Sequence, residues 1–557
     1  MTAFWRYKNV DIPVDLRKTP CRIVFLSLLL TCAPDASAQS SGNPNLLLYA
    51  LLIVAAILLI GVVMQVADNL LRLEAQKYKV HSEGLNFWGG IGSLFVSKLP
   101  GSLKDQDVYL LKEGYDIKLE GEASHEVAED THVTRYALQP PNFTDMSPIP
   151  KVIVEVGDNV KAGQPVFLDK ARPEIQYVAP VSGEILAVNR GAKRAITEVI
   201  ILADKQLQFV VHTPPNLTET TRDALVDFML KTSAWTLIRQ RPYNIVPDPQ
   251  TVPQHVFIST FDSAPLAPDA NFIVQGKGEE FQKGLDVLSR LTAGSVHLGL
   301  DGRGEADPSA IFTGAMGVER HWFRGPHPSG NVGIQIHHAI PMKPADKVWT
   351  LGVQEVMSIG KLFLTGKLDC SRLVALTGSP LKTQKYIRTY IGAHLGELLK
   401  DNLAEENLRF VSGDVLSGEQ KSDDSYLNFH DDQVTVLREG NKYEMLGWLM
   451  PLTERPSVSK TFPNFLFPGS RFIANTNTHG EKRAFVMTGE YEKMLPMDIY
   501  PQLLMKAILA NDLEKMEGLG IYELSEEDIA LCEFACTSKM PLQQILREGQ
   551  KVMREQG

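Results

Sequence analysis

Two thiols four residues apart, in Cys532-Glu533-Phe534-Ala535-Cys536, have the type and spacing to hold a metal or part of a redox cluster. An iron-sulfur cluster takes about four thiolates. The body of the chain offers one more, Cys370, while Cys21 and Cys32 lie near its start. No tetrathiolate set can be made by this chain alone, and the pair reads as buried thiols. Histidines form a second group, with His321, His327, His337 and His338 in and around Arg324-Gly325-Pro326-His327-Pro328-Ser329-Gly330-Asn331-Val332-Gly333. On a strand, adjacent His337 and His338 point to opposite faces, and no helical i, i+4 pair is formed. The expectation is a structural or partner-facing loop carrying Gly325, Pro326, His327, Pro328, Gly330 and Gly333, with no metal. A dinucleotide would need a full Gly-x-Gly-x-x-Gly after a strand, so that the backbone can approach a pyrophosphate at a helix N-terminus. Gly276-Lys277-Gly278 and Gly302-Arg303-Gly304 both lack the third glycine.

The elements that must position these residues change character along the chain. Gly157-Asp158-Asn159-Val160, Gly163-Gln164-Pro165-Val166 and Ala179-Pro180-Val181-Ser182-Gly183 punctuate short alternating strands, which implies a compact antiparallel unit. The pattern resembles the barrel-sandwich hybrid of biotinyl and lipoyl carriers. The one lysine placed for modification, Lys170, is followed by Ala171-Arg172-Pro173, which does not make the symmetric carrier hairpin. Residues 216–341 alternate helices (222–231, 279–291) with apolar strands (256–260, 272–274), as in an α/β domain. Residues 365–418 are rich in short strands and turns and read as a β-grasp-like module. Beyond residue 494 apolar residues recur at three and four spacing, predicting helices at 503–510, 512–517, 526–534 and 542–554, the third capped by Ser525 with acidic residues in its first turn.

At 557 residues several domains are expected, each with its own core. With 44% hydrophobic and 22% charged residues, the whole is neither disordered nor a polytopic membrane protein. A net charge of -10 leaves no general basic surface for a phosphate backbone, so nucleic acid is not expected as a partner. The sparse, scattered cysteines exclude a disulfide scaffold.

The front of the chain differs. Arg6, Lys8, Arg17, Lys18 and Arg22 precede a short apolar run at 23–30 and then Ala36-Ser37-Ala38, a signal-peptide layout over residues 1–38. Cleavage after Ala38, an uncleaved leader at the membrane and lipidation at Cys32 all stay open. Residues 46–67 carry no charge and match the roughly 20 residues that cross a bilayer. Arg72, Lys77 and Lys79 follow this run and no positive charge closely precedes it, which places the body in the cytoplasm. A linker is expected over 68–106.

Several stretches together are similar to one family, the A subunits of the sodium-translocating NADH:quinone reductase. They are Leu111-Lys112-Glu113-Gly114-Tyr115-Asp116, the Gly157 to Gly183 sandwich, Trp235-Thr236-Leu237-Ile238-Arg239-Gln240-Arg241-Pro242, Phe261-Asp262-Ser263-Ala264-Pro265-Leu266, the Gly325-Pro326-His327-Pro328 loop, Ile359-Gly360-Lys361-Leu362-Phe363 and Glu527-Asp528-Ile529-Ala530-Leu531-Cys532. The resemblance runs from about residue 108 onward. It implies an α/β multidomain body: a barrel-sandwich hybrid at 107–205, a Rossmann-like domain at 206–364, a β-grasp (SLBB-type) module at 365–480 and a helical domain at 481–557, preceded by a single transmembrane helix that the family does not explain. It implies a component, not catalytic alone, of a pump at the bacterial inner membrane. That pump uses NADH, flavins, iron-sulfur centres and quinone, none held by this chain by itself, and the other subunits, above all the membrane ones, are the expected partners. The resemblance assigns no catalytic, cofactor or metal residue, and makes the Gly325 to Gly333 loop partner- or quinone-facing. It extends to the C subunit of the Rnf complex, so a tethered flavoprotein with its own NADH site is the alternative. A pure assembly scaffold is a third reading.

Overall fold

The computed structural model describes residues 103, 106 and 108–556, apart from 130–132, 305–306, 442–454, 460–463 and 465–468. The leader, the expected membrane helix at 46–67 and nearly all of the linker lie outside the described residues. Among those described, no helix is long and apolar enough to cross a membrane.

Strands β1 (Val108–Leu110), β2 (Ser124–Glu129) and β3 (Arg135–Leu138) lead into the short strands β4 (Lys151–Val152), β5 (Asn159–Val160), β6 (Pro165–Leu168) and β7 (Gln176–Val178), then β8 (Gly183–Arg190) and β9 (Ile196–Ala203). Two antiparallel sheets result, ordered β3-β9-β8-β5 and β4-β6-β7. Val166, Phe167, Ile185, Val199 and Ile201 along them are fully buried. Lys170 is exposed in the β6–β7 loop. That loop is pinned not at a free tip but by Arg172, which reaches Asp169, Asp145 and the Val246 carbonyl.

The next segment winds α1 (Arg222–Lys231), β10 (Arg239–Arg241), β11 (His255–Ser259), α2 (Ala270–Ile273), α3 (Gly278–Leu291), β12 (Val296–Asp301), α4 (Ala310–Thr313), β13 (Glu319–Arg324), α5 (Val332–Ala339), β14 (Val348–Thr350) and α6 (Val353–Thr365). Its sheet has the order β1-β13-β12-β11-β14-β10 and is parallel except at β10. Thr221 caps α1 and Lys231 lies in its last turn, as its sequence dictates. In α3, Phe281, Gly284, Leu285, Leu288 and Leu291 make one buried stripe. That stripe meets α6 almost backbone to backbone, because a Cβ on Gly360 would stand 1.7 Å from the Glu280 carbonyl oxygen and one on Gly284 2.1 Å from that of Val356. Gly360→Ala is therefore expected to destabilise the chain by about 1–3 kcal/mol, read from a lowered urea midpoint. An unchanged midpoint would mean the helices separate freely.

Two expectations fail here. Residues 272–274, expected as a strand, belong mostly to the short helix α2, whose start Asp269 caps by accepting from Asn271 N. His337 and His338, expected on a strand, close α5, with His337 against Glu523 (2.6 Å) and His338 Nε2 against the Pro496 carbonyl (2.7 Å). Both stretches are short apolar runs, in which strand and helix periodicities cannot be told apart.

Strands β15 (Ser371–Thr377) and β16 (Lys385–Tyr390), helix α7 (Leu395–Leu398), then β17 (Leu408–Ser412), β18 (Glu419–Lys421) and β19 (Gln433–Arg438) build a sheet ordered β18-β17-β19-β15-β16-β2. The segment ahead of the sandwich thus gives β1 to the parallel sheet and β2 to this one. Helices α8 (Pro501–Leu509), α9 (Leu513–Gly518), α10 (Glu526–Ala535) and α11 (Leu542–Gln556) follow. Leu504, Ile529, Leu531, Leu542 and Leu546 join Phe257, Phe323, Ile334 and Ile336 in one core, so the helical domain packs over α5 on one face of the parallel sheet.

Candidate functional site

Strands β11, β12 and β13 run outward in sequence order, while β14 returns to the other side of β11. The order therefore reverses between β11 and β14, and a parallel sheet leaves its crevice outside the carboxyl ends of the strands at such a point. A cavity of about 260 Å³ lies there. Ser259 at the end of β11 and Phe261 beyond it, Thr350 at the end of β14 with Leu351 and Gly352, and the starts of α5 and α6 form its floor. Asp414 and His430 to Gln433 face them from the third domain, and Glu527 from the helical domain.

Helix N-termini ordinarily make such a crevice an anion site. Here the chain sets one of its own carboxylates against each. Glu355 folds back over the start of α6, where a Cβ on Gly352 would meet its Oε2 at 2.3 Å. Asp528 lies against the start of α5, where a Cβ on Gly333 would meet its Oδ2 at 2.2 Å. Asp528 in turn accepts from the Ser525 backbone N–H (2.8 Å) and hydroxyl (2.7 Å) in a capping box, and Arg241 stands 3.7 Å away. Burial pushes the Asp528 carboxyl up to about 6 even beside Arg241.

Glu355 is fully enclosed, which would raise its pKa, but the Arg372 guanidinium at 2.6 Å prevails and holds it below the usual carboxylate range. His430 Nδ1 lies 3.6 Å from the same carboxylate, and burial takes that imidazole down to about 4. The crevice is thus mostly acidic, with Arg241 and Arg372 committed to its carboxylates from behind and Arg239 lining it beside Glu355 and Glu527. A pyrophosphate brought to either helix start would meet negative charge where it needs free N–H groups.

Of the residues picked out by sequence, Gly330 lines the crevice, and its N–H donates to Ser263 Oγ (2.8 Å) while its carbonyl accepts from Ser259 Oγ (2.9 Å). His327 is buried. Its backbone N–H donates to Asp116 (2.8 Å), its Nδ1 shares a proton with Ser263 Oγ (3.0 Å), and burial takes the ring down to about 4. Gly325 and Pro326 are half-buried beside β1, Pro328 is buried, and Gly333 is the seat of Asp528. The glycine fragments are closed by local contacts: Gly278 opens α3 against Ile311, and Arg303 pairs with Asp301 at 2.8 Å. Glu355, Arg372 and His430 carried no local spacing signal, and Asp528 showed only as a first-turn acid of α10, because the group is assembled from four separate segments.

Cys532 and Cys536 are buried, with the Tyr491 hydroxyl donating to Cys536 Sγ at 2.8 Å and Cys532 Sγ 3.5 Å from the Tyr491 carbonyl. Burial raises the Cys532 thiol and takes that of Cys370 up to about 12. Peptide mapping after treatment of the native protein with a thiol reagent should find Cys370, Cys532 and Cys536 unmodified until denaturant is added.

Three family models match in chain order: the NqrA N-terminal barrel-sandwich hybrid domain at residues 109–204, the NqrA second alpha/beta domain at 220–368 and the NQRA C-terminal domain at 373–423. Curated relatives, each named as the A subunit of Na(+)-translocating NADH-quinone reductase, align over most of the chain. Those of Vibrio anguillarum (37% identical) and Vibrio atlanticus (35%) align over 450 residues, 80% of this chain and 99% of the relative. The protein of Alcanivorax borkumensis is 36% identical over 451 residues. This chain belongs to the NqrA family, the A subunits of Na(+)-translocating NADH-quinone reductase. In NqrA terms, the sheet with the crevice is the second alpha/beta domain, and the antiparallel pair of sheets before it is the barrel-sandwich hybrid.

Proposed function

We propose that the chain serves as the A subunit of a sodium-pumping NADH:quinone oxidoreductase, a cytoplasm-facing component that holds no complete redox centre of its own and supports quinone reduction coupled to sodium export. The observation that carries this reading is the alignment with NqrA proteins over 99% of their length. Two features support a role that leaves electron carriage to the partners. Cys532 and Cys536 are packed as thiols under Tyr491, and Glu355 and Asp528 cover the helix starts that a dinucleotide would use. The loop with Gly325, Pro326, His327, Pro328, Gly330 and Gly333 faces the partners or the quinone, with Gly330 at the crevice. The partners are the other subunits, above all the membrane ones, and residues 46–67 hold the body to the inner membrane as a single-pass anchor that raises its effective concentration there.

The test is to isolate membranes through a tag on this chain. The expected result is a complex of NADH:quinone reductase subunits with sodium-stimulated quinone reduction, and a colourless chain when it is purified alone. Flavin or iron-sulfur absorption from the isolated chain would favour the Rnf C-like reading, and failure to recover the complex would reject the proposal. Deleting residues 1–80 should lower membrane association and quinone reduction together; unchanged values of both would remove the anchor.

A further inference from the structure

At the opposite end of the same parallel strands, away from the crevice, three histidines and a glutamate meet. His255 opens β11, His297 lies near the start of β12, and Glu319 and His321 share the near end of β13. Phe257 pairs with His297 and His297 with Glu319 across the sheet, and residues two apart on a strand share a face. All four side chains therefore emerge on one face. His297 Nδ1 is 2.9 Å from His321 Nε2 and 3.6 Å from a Glu319 oxygen, and the ligand atoms of these three lie within 4.8 Å of one another. The other ring nitrogen of His297, Nε2, is 2.9 Å from His255 Nδ1. Phe257 stacks on both His297 and His321, forming an apolar wall, while the Glu319 side chain is 57% exposed and leaves a route from solvent.

From this placement we infer that His297 Nδ1, His321 Nε2 and the Glu319 carboxylate form a binding site for a divalent first-row transition cation of the zinc type. His255 is the outer partner: it takes the Nε2–H of His297 and so presents Nδ1 to the metal, as metal-bound imidazoles require. Two imidazoles and one carboxylate are the donor set of three-ligand zinc sites with a fourth position open. With zinc–nitrogen bonds of about 2.0–2.1 Å, tetrahedral nitrogens stand roughly 3.3 Å apart, so the His297–His321 gap need open by only a few tenths of an ångström. The Glu319 oxygen already sits near that spacing. A bound ion would tie β12 to β13 directly, and β11 through His255, at the end remote from the crevice.

The experiment uses the full chain, purified in detergent and stripped with chelator. Co²⁺ is titrated while visible ligand-field absorption is followed, and Zn²⁺ then competes for the site. The wild type is expected to take up one equivalent, and Zn²⁺ to raise its melting temperature. Glu319→Gln and His321→Gln, at exposed and half-exposed positions, should each weaken uptake at least about tenfold and remove the Zn²⁺-dependent shift in melting, while His255→Gln should weaken it by about 10- to 100-fold as an outer-shell change. Melting of each stripped variant at the wild-type temperature shows that the fold survives. Stoichiometric uptake lost in Glu319→Gln and His321→Gln supports the site. No uptake by the wild type, or equal uptake by both variants, overturns it.

Discussion

Arg372→Met is expected to cost about 3–5 kcal/mol of stability, because it removes one partner of a buried ion pair and strands the other. Arg372 and Glu355 are 1% and 3% exposed, and their contact is 2.6 Å. The pair joins β15 of the third domain to the first turn of α6, so its loss also loosens the wall of the crevice. The pH dependence has a definite sign. Glu355 is held below its unfolded value, so the stability it adds is present above about pH 4.5 and is lost as pH falls through its folded value. The gap between wild type and variant should accordingly be full at neutral pH and narrow in acid. Urea midpoints at pH 4 and pH 7 measure it, and a loss under about 1 kcal/mol at pH 7 would show that Glu355 reaches another cation or water. Replacing both partners by apolar residues of similar size should restore much of the loss, since the cost lies in the orphaned charge.

Local rules reached some of this architecture and not the rest, for identifiable reasons. Thr221 before α1, Ser525 before α10 and the buried stripe of α3 are short-range signals, and the elements lie where those residues put them. The turns at Gly157 and Gly183 need positive φ, which glycine supplies without strain, and they mark the sandwich strands for the same reason. The partners of β1 and β2 follow no local rule: three and six residues of strand gain their hydrogen bonds from segments more than two hundred positions away. Gly333, Gly352 and Gly360 stood in the sequence as glycines without a cause; each makes room for a group from another element or another turn. Asp528 was legible as a first-turn acid of α10, yet it also serves the start of α5. The three histidines of the sheet edge are separated by more than twenty residues each, and only His321 lies near the histidine-rich loop that spacing marks out.

Arg241→Met should be as damaging as the loss of Arg372, and its deficit should likewise grow with pH, over a window set by Asp528 and not by Glu355. Arg241 is 4% exposed, donates to Glu527 at 2.6 Å and stands 3.7 Å from Asp528, which is fully buried. It is the cation that lets the start of α10 press onto the start of α5. Asp528 titrates near 6 in the folded protein because burial outweighs Arg241, so folding favours its protonated form, and its contribution to stability declines as pH rises from about 4 through 6. Without Arg241 the folded value climbs further. At pH 5 both proteins hold Asp528 protonated and the deficit from this group is small. As pH passes 6 the wild type ionises beside its guanidinium, whereas the variant must either keep the proton against solvent or bury an unpaired charge. The deficit should therefore grow to about 3 kcal/mol by pH 8, measured as the difference in urea midpoints at the two pH values. A deficit independent of pH would place the cost in the stranded Glu527 carboxylate or in lost packing of the arginine stem. The double variant Arg241→Met, Asp528→Asn separates these causes: asparagine still accepts the Ser525 hydrogen bonds but carries no charge, so it should flatten the pH dependence and recover part of the stability. If the docking of α10 on α5 is what presents this chain to its partners, the single variant will also lose quinone reduction in the assembled complex more steeply at pH 8 than at pH 6, and the double variant will regain it.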